Sequence, residues 1–343
     1  MQIENKEVID LLDNEGKLTK PGFAKKLNYT YQRSAIKAPS LRIKEWDYYY
    51  LGNDKYGIAL TIADNSYMAL ISASFLDFTK PKEKTTSVMK WLTFGKLHLP
   101  STSTFGDTTY SDNRVNMRFI NDGKQRKLFC DFKKFDGDKT LFIDLTLSKD
   151  PEESMVIATP FKDKPLHFYY NQKINCLRAE GKVRYGDDVY TFEKENTFGV
   201  LDWGRGVWTY KNTWYWGSLS CEIDGEDFGF NIGYGFGDTS NASENMLFYK
   251  GKAHKLDQVT FNIPSKDGKD SFMEPWTFTS NDNRLNLTFK PIINRYSNTD
   301  VLVIASCQHQ VFGIFSGTAI LDDGKEIKIT NKIGFAEKVK NKW

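Results

Sequence analysis

The sequence predicts an all-β protein of antiparallel strands, and three observations point to it. Aromatic residues make up 15% of the 343, Phe 25 and Tyr 17 among them, and such side chains fit the pleated, half-buried surface of a sheet. Apolar runs of strand length alternate with Gly, Asn and Asp clusters along most of the chain. Asp-Gly occurs at Asp122-Gly123, Asp136-Gly137, Asp224-Gly225, Asp267-Gly268 and Asp323-Gly324. That pair supplies the positive φ angles of a type I′ hairpin turn.

Taken in order, the elements begin with one short helix, expected at NKEVIDLLD (5–13). The stretch 47–78, DYYYLGNDKYGIALTIADNSYMALISASFLDF, holds three apolar and aromatic runs parted by Gly-Asn-Asp and Ala-Asp-Asn. These read as successive antiparallel strands joined by tight turns. Long hairpin series of this kind leave a sandwich or a closed barrel. The absence of a repeat of roughly 20–50 residues argues against a propeller. A domain boundary is expected near residue 248, where ENMLFYKGKAHKL precedes a fresh strand series, giving domains 1–248 and 249–343.

Composition bounds the function. With 47 basic and 44 acidic residues and no basic block, a nucleic-acid footprint is not apparent. The N-terminus lacks the apolar core of a signal peptide, and no apolar run nears the roughly 20 residues that cross a bilayer. Cys130, Cys176, Cys221 and Cys307 are far apart and form no CxxC pair, so they read as reduced thiols of a cytoplasmic protein. His98, His167, His254 and His309 have no metal-motif spacing, and no metal or cofactor is expected. GxSxG, HExxH, P-loop and kinase signatures are missing.

The chemistry concentrates in LDWGRGVWTYKNTWYWG, residues 201–217, which holds four of the eight tryptophans (Trp203, Trp208, Trp214, Trp216) with Asp202, Arg205, Lys211 and Asn212. Large rings favour burial, and charges resist it unless paired. With 212–223 as one strand, alternation sets Trp214, Trp216, Ser218 and Ser220 on one face and Tyr215, Gly217, Leu219 and Cys221 on the other. The next strand, FGFNIGYGFG, puts Phe228, Phe230, Ile232, Tyr234 and Phe236 opposite a face of Gly229, Asn231, Gly233, Gly235 and Gly237. Such a glycine face calls for something bulky laid against it, either an indole of the protein or a ligand. Asp202 and Arg205 read either as a structural pair or as polar groups aimed into a dry pocket. GDTSNASENM adds Asp238 and Glu244, with Ser240 through Glu244 readable as one capped helical turn. His309 is a strand histidine suited to acid–base work near neutral pH if its face lines a cavity.

LDWGRGVWTYKNTWYWGSLS, FGFNIGYGFGDTSNASENMLFYKGKAHKL and the closing HQVFGIFSGTAILDDGKEIKITNKIGFAEKVKNKW resemble the bacterial family called domain of unknown function 2804. More distantly, the carboxylate–Trp–Gly turn and the Trp-x-Trp strand ending in Asp-Gly are similar to AttH-like and carotenoid hydratase proteins. That likeness implies two tandem lipocalin-type (calycin) barrels. It also matches Gly334-Phe335-Ala336-Glu337 to a closing Gly-Phe/Tyr-x-Glu segment. Those relatives carry Asp-His-x-Trp-Gly where this chain has Asp202-Trp203-Gly204-Arg205-Gly206, so the histidine is absent.

Three functions follow as expectations. One is an acid–base enzyme of hydratase, isomerase or cyclase type acting on an apolar unsaturated, isoprenoid- or lipid-like substrate in a Trp-lined pocket. Asp202, His309 and Glu337 would be catalytic. Trp203, Arg205, Trp208, Lys211, Asn212, Trp214, Trp216, Asn231, Tyr234, Asp238 and Glu244 would bind substrate. The second is a lipid or isoprenoid carrier using the same cavity. The third is a carbohydrate-active enzyme with a carboxylate pair, which would need about 5–10 Å between the carboxylates.

Overall fold

Alternating side chains make each strand two-faced, and two sheets built from such strands must bury one face apiece. The computed structural model describes residues 2–301 and 304–342, and strands carry most of them. The three runs of 47–78 form Ile43–Gly52, Tyr56–Asp64 and Met68–Asp77, paired antiparallel as their turns require.

Among the described residues the strands gather into one sheet of 13 and another of nine, with two small two-stranded ribbons. In the first sheet the chain meanders from Ile43–Gly52 out to an edge at Lys82–Trp91. Its last long strand, Phe198–Val207, then returns to lie between Ile43–Gly52 and Lys164–Tyr185. The second sheet repeats this closure. It starts at Lys211–Ile223, and the final strand Glu326–Lys342 returns between that strand and Ile304–Ile320. Each sheet curls around its own apolar core. Leu51, Leu60, Phe132, Ile143 and Leu201 fill the first, and Phe228, Phe230, Trp276, Phe289 and Phe315 the second.

The outer faces of the two half-barrels meet along a seam with an apolar cluster at either end. One holds Phe161, Tyr169, Trp208, Phe236 and Met246, the other Tyr48, Tyr50, Trp216, Phe312 and Phe335. A bulge at Ile174/Leu177 turns Asn175 across the seam. There its Nδ2 donates to Ser218 Oγ at 2.8 Å and to the Phe230 carbonyl at 3.0 Å.

All five Asp-Gly pairs lie at hairpin tips. Only Asp224-Gly225 and Asp267-Gly268 have both φ angles positive, as type I′ demands; at the other three the glycine alone is positive. One expectation changes. NKEVIDLLD is extended: Ile9–Asp10 pairs in parallel with Tyr29–Thr30, which satisfies the Ile9 and Leu11 amides while Leu11 and Leu12 dock in the first core. The short N-terminal helix is therefore replaced by strand, and helical geometry among the described residues is confined to the 3-10 turns Arg33–Ala35 and Ser40–Arg42. The chain also changes sheet at 208–210, directly after the returning strand closes the first sheet. Phe248, at the expected boundary, lies inside the strand Met246–Tyr249 of the second.

Where the returning strand meets Ile43–Gly52 the backbones approach closely, and a Cβ on Gly199 would stand 2.0 Å from the Tyr50 carbonyl oxygen. Backbone cannot yield as a side-chain tip can. Gly199→Ala is expected to lower the unfolding free energy by about 2–3 kcal/mol, read from the midpoint of urea denaturation. An unchanged midpoint would contradict this packing.

Candidate functional site

Strand alternation divides the tryptophan-rich segment between two environments. In Phe198–Val207, the side chains of Leu201, Trp203, Arg205 and Val207 point into the first half-barrel, and Val200, Asp202 and Gly204 face the seam. Glycine is required at 204 because the Trp46 ring occupies the space, 1.9 Å from where a Cβ would stand. Beyond the crossover, Trp214, Trp216, Ser218 and Ser220 face the seam, and Leu219 and Cys221 enter the second core.

The four tryptophans therefore share no hollow. Trp203 stands edge-on to Tyr31 and Tyr170 inside the first core. Trp208 and Trp214 meet each other and Phe236. Trp216 packs edge-on to Tyr48 and Phe335. The expected Trp-lined pocket is filled by these rings. The glycine face is likewise covered by protein. A Cβ at Gly229 would meet Cys176 Sγ at 2.8 Å, one at Gly233 the Glu244 carboxylate at 2.6 Å, and one at Gly237 Thr159 at 2.6 Å.

Asp202 and Arg205 do not pair, because three residues along a strand puts them on opposite faces. Arg205 is fully buried. Its Nη1 donates to Asp47 Oδ1 at 3.0 Å and to the carbonyls of Trp46 and Gly204, and Nη2 donates to the Pro100 carbonyl at 2.7 Å. The guanidinium also lies 4.2 Å from the Trp203 ring centre. These contacts tie the returning strand to its neighbour and to the loop at Pro100, inside the first half-barrel and away from the seam.

The seam itself holds a buried polar cluster. Lys173 Nζ pairs with Asp202 Oδ2 at 2.8 Å and lies 3.9 Å from the centre of the Trp216 ring. Asn171 Nδ2 donates to Asp202 Oδ1 at 2.6 Å, leaving Asn171 Oδ1 buried without a partner. On one flank Trp216 Nε1 donates to Asn231 Oδ1 at 2.7 Å, and Asn231 Nδ2 donates to the Glu244 carbonyl at 2.8 Å. On the other flank Glu337 Oε1 accepts from Trp214 Nε1 at 2.9 Å, and Oε2 accepts from Gln310 Nε2 at 3.1 Å. Tyr48 donates to Gln310 Oε1 at 3.3 Å and closes the network.

Three buried carboxyls, Asp202, Glu244 and Glu337, lie in the field of Lys173, with Lys255 also acting on Glu244 and Arg295 on Glu337. Burial raises Glu244 above its ordinary 4.5, with Lys173 opposing and Asp202 adding. Burial raises Glu337 in the same way, against the Trp214 hydrogen bond and the positive charges of Arg295 and Lys173. The Tyr169 phenol is held protonated, by burial first and then by the fields of Glu244, Asp202 and Glu337. Buried carboxyls whose proton affinity is raised beside a charged pair are the raw material of acid–base sites.

Of the residues expected from sequence, Asp202, Trp214, Trp216, Asn231, Glu244 and Glu337 gather at the seam, and Trp208 packs beside them. His309 does not. It alternates with Gln308 and Gln310 to the opposite face, stacks on Phe272 at 3.8 Å, and bonds Asn294 through Nδ1. Tyr234 stacks on Tyr215 at 4.4 Å beside the second core. Asp238 caps a turn through the Ser240 amide, and no helix forms at Ser240–Glu244. Asn212 bonds Thr209, and Lys211 is exposed at the sheet end. Lys173, Asn171, Tyr48, Tyr169 and Gln310 were not anticipated. For Asn171 and Lys173 the signal is the polar triplet Asn171-Gln172-Lys173, which directly follows the aromatic run Phe168-Tyr169-Tyr170 in a buried stretch of strand.

Fold and seam together define an all-β protein of two half-barrels with a charged cluster buried between them. The chain belongs to the family described as Domain of unknown function (DUF2804), whose model matches residues 2–343. Among solved structures, a protein assigned as AttH from Nitrosomonas europaea is similar with a TM-score of 0.56 at 11% identity, over 87% of this chain and 92% of that one. Kievitone hydratase from Nectria haematococca is similar with a TM-score of 0.47 at 10% identity, over 88% of each chain. CghA with Sch210972 follows with a TM-score of 0.45 at 8% identity, over 88% of each chain. No curated protein matches the sequence. The first of these likenesses establishes a shared fold, the tandem lipocalin-like arrangement of two antiparallel half-barrels. No helix among the described residues is long and apolar enough to cross a membrane.

Removing Lys173 would strand Asp202 in the seam. Lys173→Met is expected to cost about 3–5 kcal/mol of stability, and Asp202→Asn in the same chain to recover part of it, read by urea unfolding of both single variants and the double. The two glutamates give a pH signature. Their carboxyls hold protons in the folded chain at pH values where the unfolded chain has lost them. Their stabilisation is therefore complete below 4.5 and disappears as pH rises through the higher folded value. Relative to wild type, the variant Glu244→Gln with Glu337→Gln should therefore gain stability as pH rises above 4.5. An identical pH profile in the double variant would show that neither carboxyl is held protonated.

Proposed function

We propose that the seam is the active site of an acid–base enzyme of hydratase, isomerase or cyclase type acting on an apolar unsaturated substrate. The observation that carries this reading is the placement of buried Glu337 and Glu244, whose proton affinities burial raises, beside the Lys173–Asp202 ion pair among indole and phenol rings. Such a site contains both a proton donor and a charged acceptor while excluding bulk water.

Glu337 is the donor in this reading. It protonates one carbon of a carbon–carbon double bond, and the positive charge that develops on the neighbouring carbon is met by ring faces. Water then adds and gives its surplus proton to Asp202, or a neighbouring C–H proton leaves to Asp202, or an internal hydroxyl closes a ring and gives its proton to Asp202. Trp214 is half-buried and tethered to Glu337 through Nε1. Substrate displaces this ring from the packed seam, which frees the carboxyl at the moment it is needed. Asn171 Oδ1, buried and unpaired, accepts from the water or hydroxyl that enters. A second reading, a non-catalytic carrier of an apolar ligand, is supported by the internal pairing of the seam's charges, which leaves its aromatic rings as the contact surface once they part.

Incubation with a panel of polyenes in heavy water separates the two, because proton transfer to carbon leaves deuterium in the product whichever outcome follows. Deuterated product is expected from wild type, and Glu337→Gln should lower its rate by about 100-fold or more. A polyene that binds and returns unlabelled would favour the carrier, and full activity in Glu337→Gln would remove the assigned donor.

A further inference from the structure

The strands that bear the seam residues have a second face, and at the open end of the second half-barrel that face frames a cleft. The cleft measures about 420 Å³ and is lined by Lys211, Thr213, Asn298, Cys307, Lys340 and Lys342, among others. Sheet register accounts for the convergence: Lys211 lies opposite Lys342, Thr213 opposite Lys340, and Cys307 between Lys340 and Asn298. Two residues further in, the same face carries Tyr215, Lys338, His309 and Tyr296. There His309 lies 3.8 Å from Phe272 and 4.6 Å from Tyr296, centre to centre. The rim is thus cationic and the layer beneath it mostly aromatic.

The cations at the rim are uncompensated. Lys338 is paired with Asp270, but Lys211, Lys340 and Lys342 form no ion pair among the described residues, and Asp300 is the one acidic residue lining the cleft. Lysines on neighbouring strands repel one another, and an anion placed between them relieves that repulsion. We propose that this cleft is a second ligand site, separate from the seam, for a small organic anion. Its carboxylate or sulfonate sits among Lys211, Lys340 and Lys342, and its apolar body lies in the cleft against Thr213, Ala305 and Cys307. The proposal does not depend on the chemistry assigned to the seam.

Cys307 supplies the readout, because it is the one cysteine of the four that is not buried. Its alkylation by iodoacetamide, followed by mass spectrometry, reports whether the cleft is covered. Saturating 2-naphthoate is expected to slow alkylation of Cys307 about tenfold or more. The same ring as 2-naphthamide, or inorganic phosphate alone, should protect far less. Lys340→Gln with Lys342→Gln should raise the half-protecting naphthoate concentration about tenfold. An unchanged urea midpoint would confirm that the variant is folded, and protection is read as the ratio of alkylation rates with and without ligand for each protein. Equal protection by the amide, equal protection by phosphate, or undiminished protection in the double variant would each overturn the proposal.

Discussion

The burial of one ammonium group governs the middle of this molecule. Lys173 is 3% exposed on a strand between two sheets, where an uncompensated charge would be untenable. Its partner must come from a strand that faces the same seam, and Asp202 does so because the returning strand pairs directly beside it, Lys173 opposite Asp202. The Trp216 ring, from the other sheet, covers the ammonium from above. A single cation therefore fixes the register of two strands in one half-barrel against a tryptophan of the other. The bulge that begins at Ile174 turns Asn175 to bind the second sheet just beyond it.

Asp202 takes the ammonium as its partner, and burial raises the proton affinity of the other two carboxyls, Glu244 and Glu337. This gives the seam its asymmetry: an ion pair at the centre and a buried acid on either flank, each tied to a tryptophan or its hydrogen-bond partner. A purely structural seam between two sheets is more simply built from apolar side chains. The polar cluster is thus the part of the structure that packing does not require, which is why function is sought there.

The fold was largely legible because its determinants are local. Asp-Gly marks turns by backbone conformation, and period-two alternation assigned Trp214 and Trp216 to one face and Leu219 and Cys221 to the other before any coordinates. NKEVIDLLD was misread because its docking is tertiary: Leu11 and Leu12 are held by a parallel bridge to Tyr29–Thr30 that no local pattern announces. Asp202 stands out by the tryptophans around it, Glu244 by the polar stretch that follows the glycine-faced strand, and Glu337 by the likeness of Gly334-Phe335-Ala336-Glu337 to a closing segment of related proteins. Lys173 escaped notice because its partner is distant in sequence and its own strand reads as core. Arg205 was placed beside Asp202 through proximity in sequence, although strand geometry separates side chains three apart onto opposite faces.

The way each half-barrel closes also bears on how the chain acquires its structure. Ile43–Gly52 has its second neighbour only when Phe198–Val207 arrives, and Lys211–Ile223 only when Glu326–Lys342 does. Pairings that span so much sequence form late, since the loop must be closed before the contacts reward it. A nascent chain still short of Val207 exposes two long strand edges, those of Ile43–Gly52 and Lys164–Tyr185, which are templates for pairing with other chains. Synthesis of each half is hazardous until its last strand emerges, and the first half is complete before the second begins.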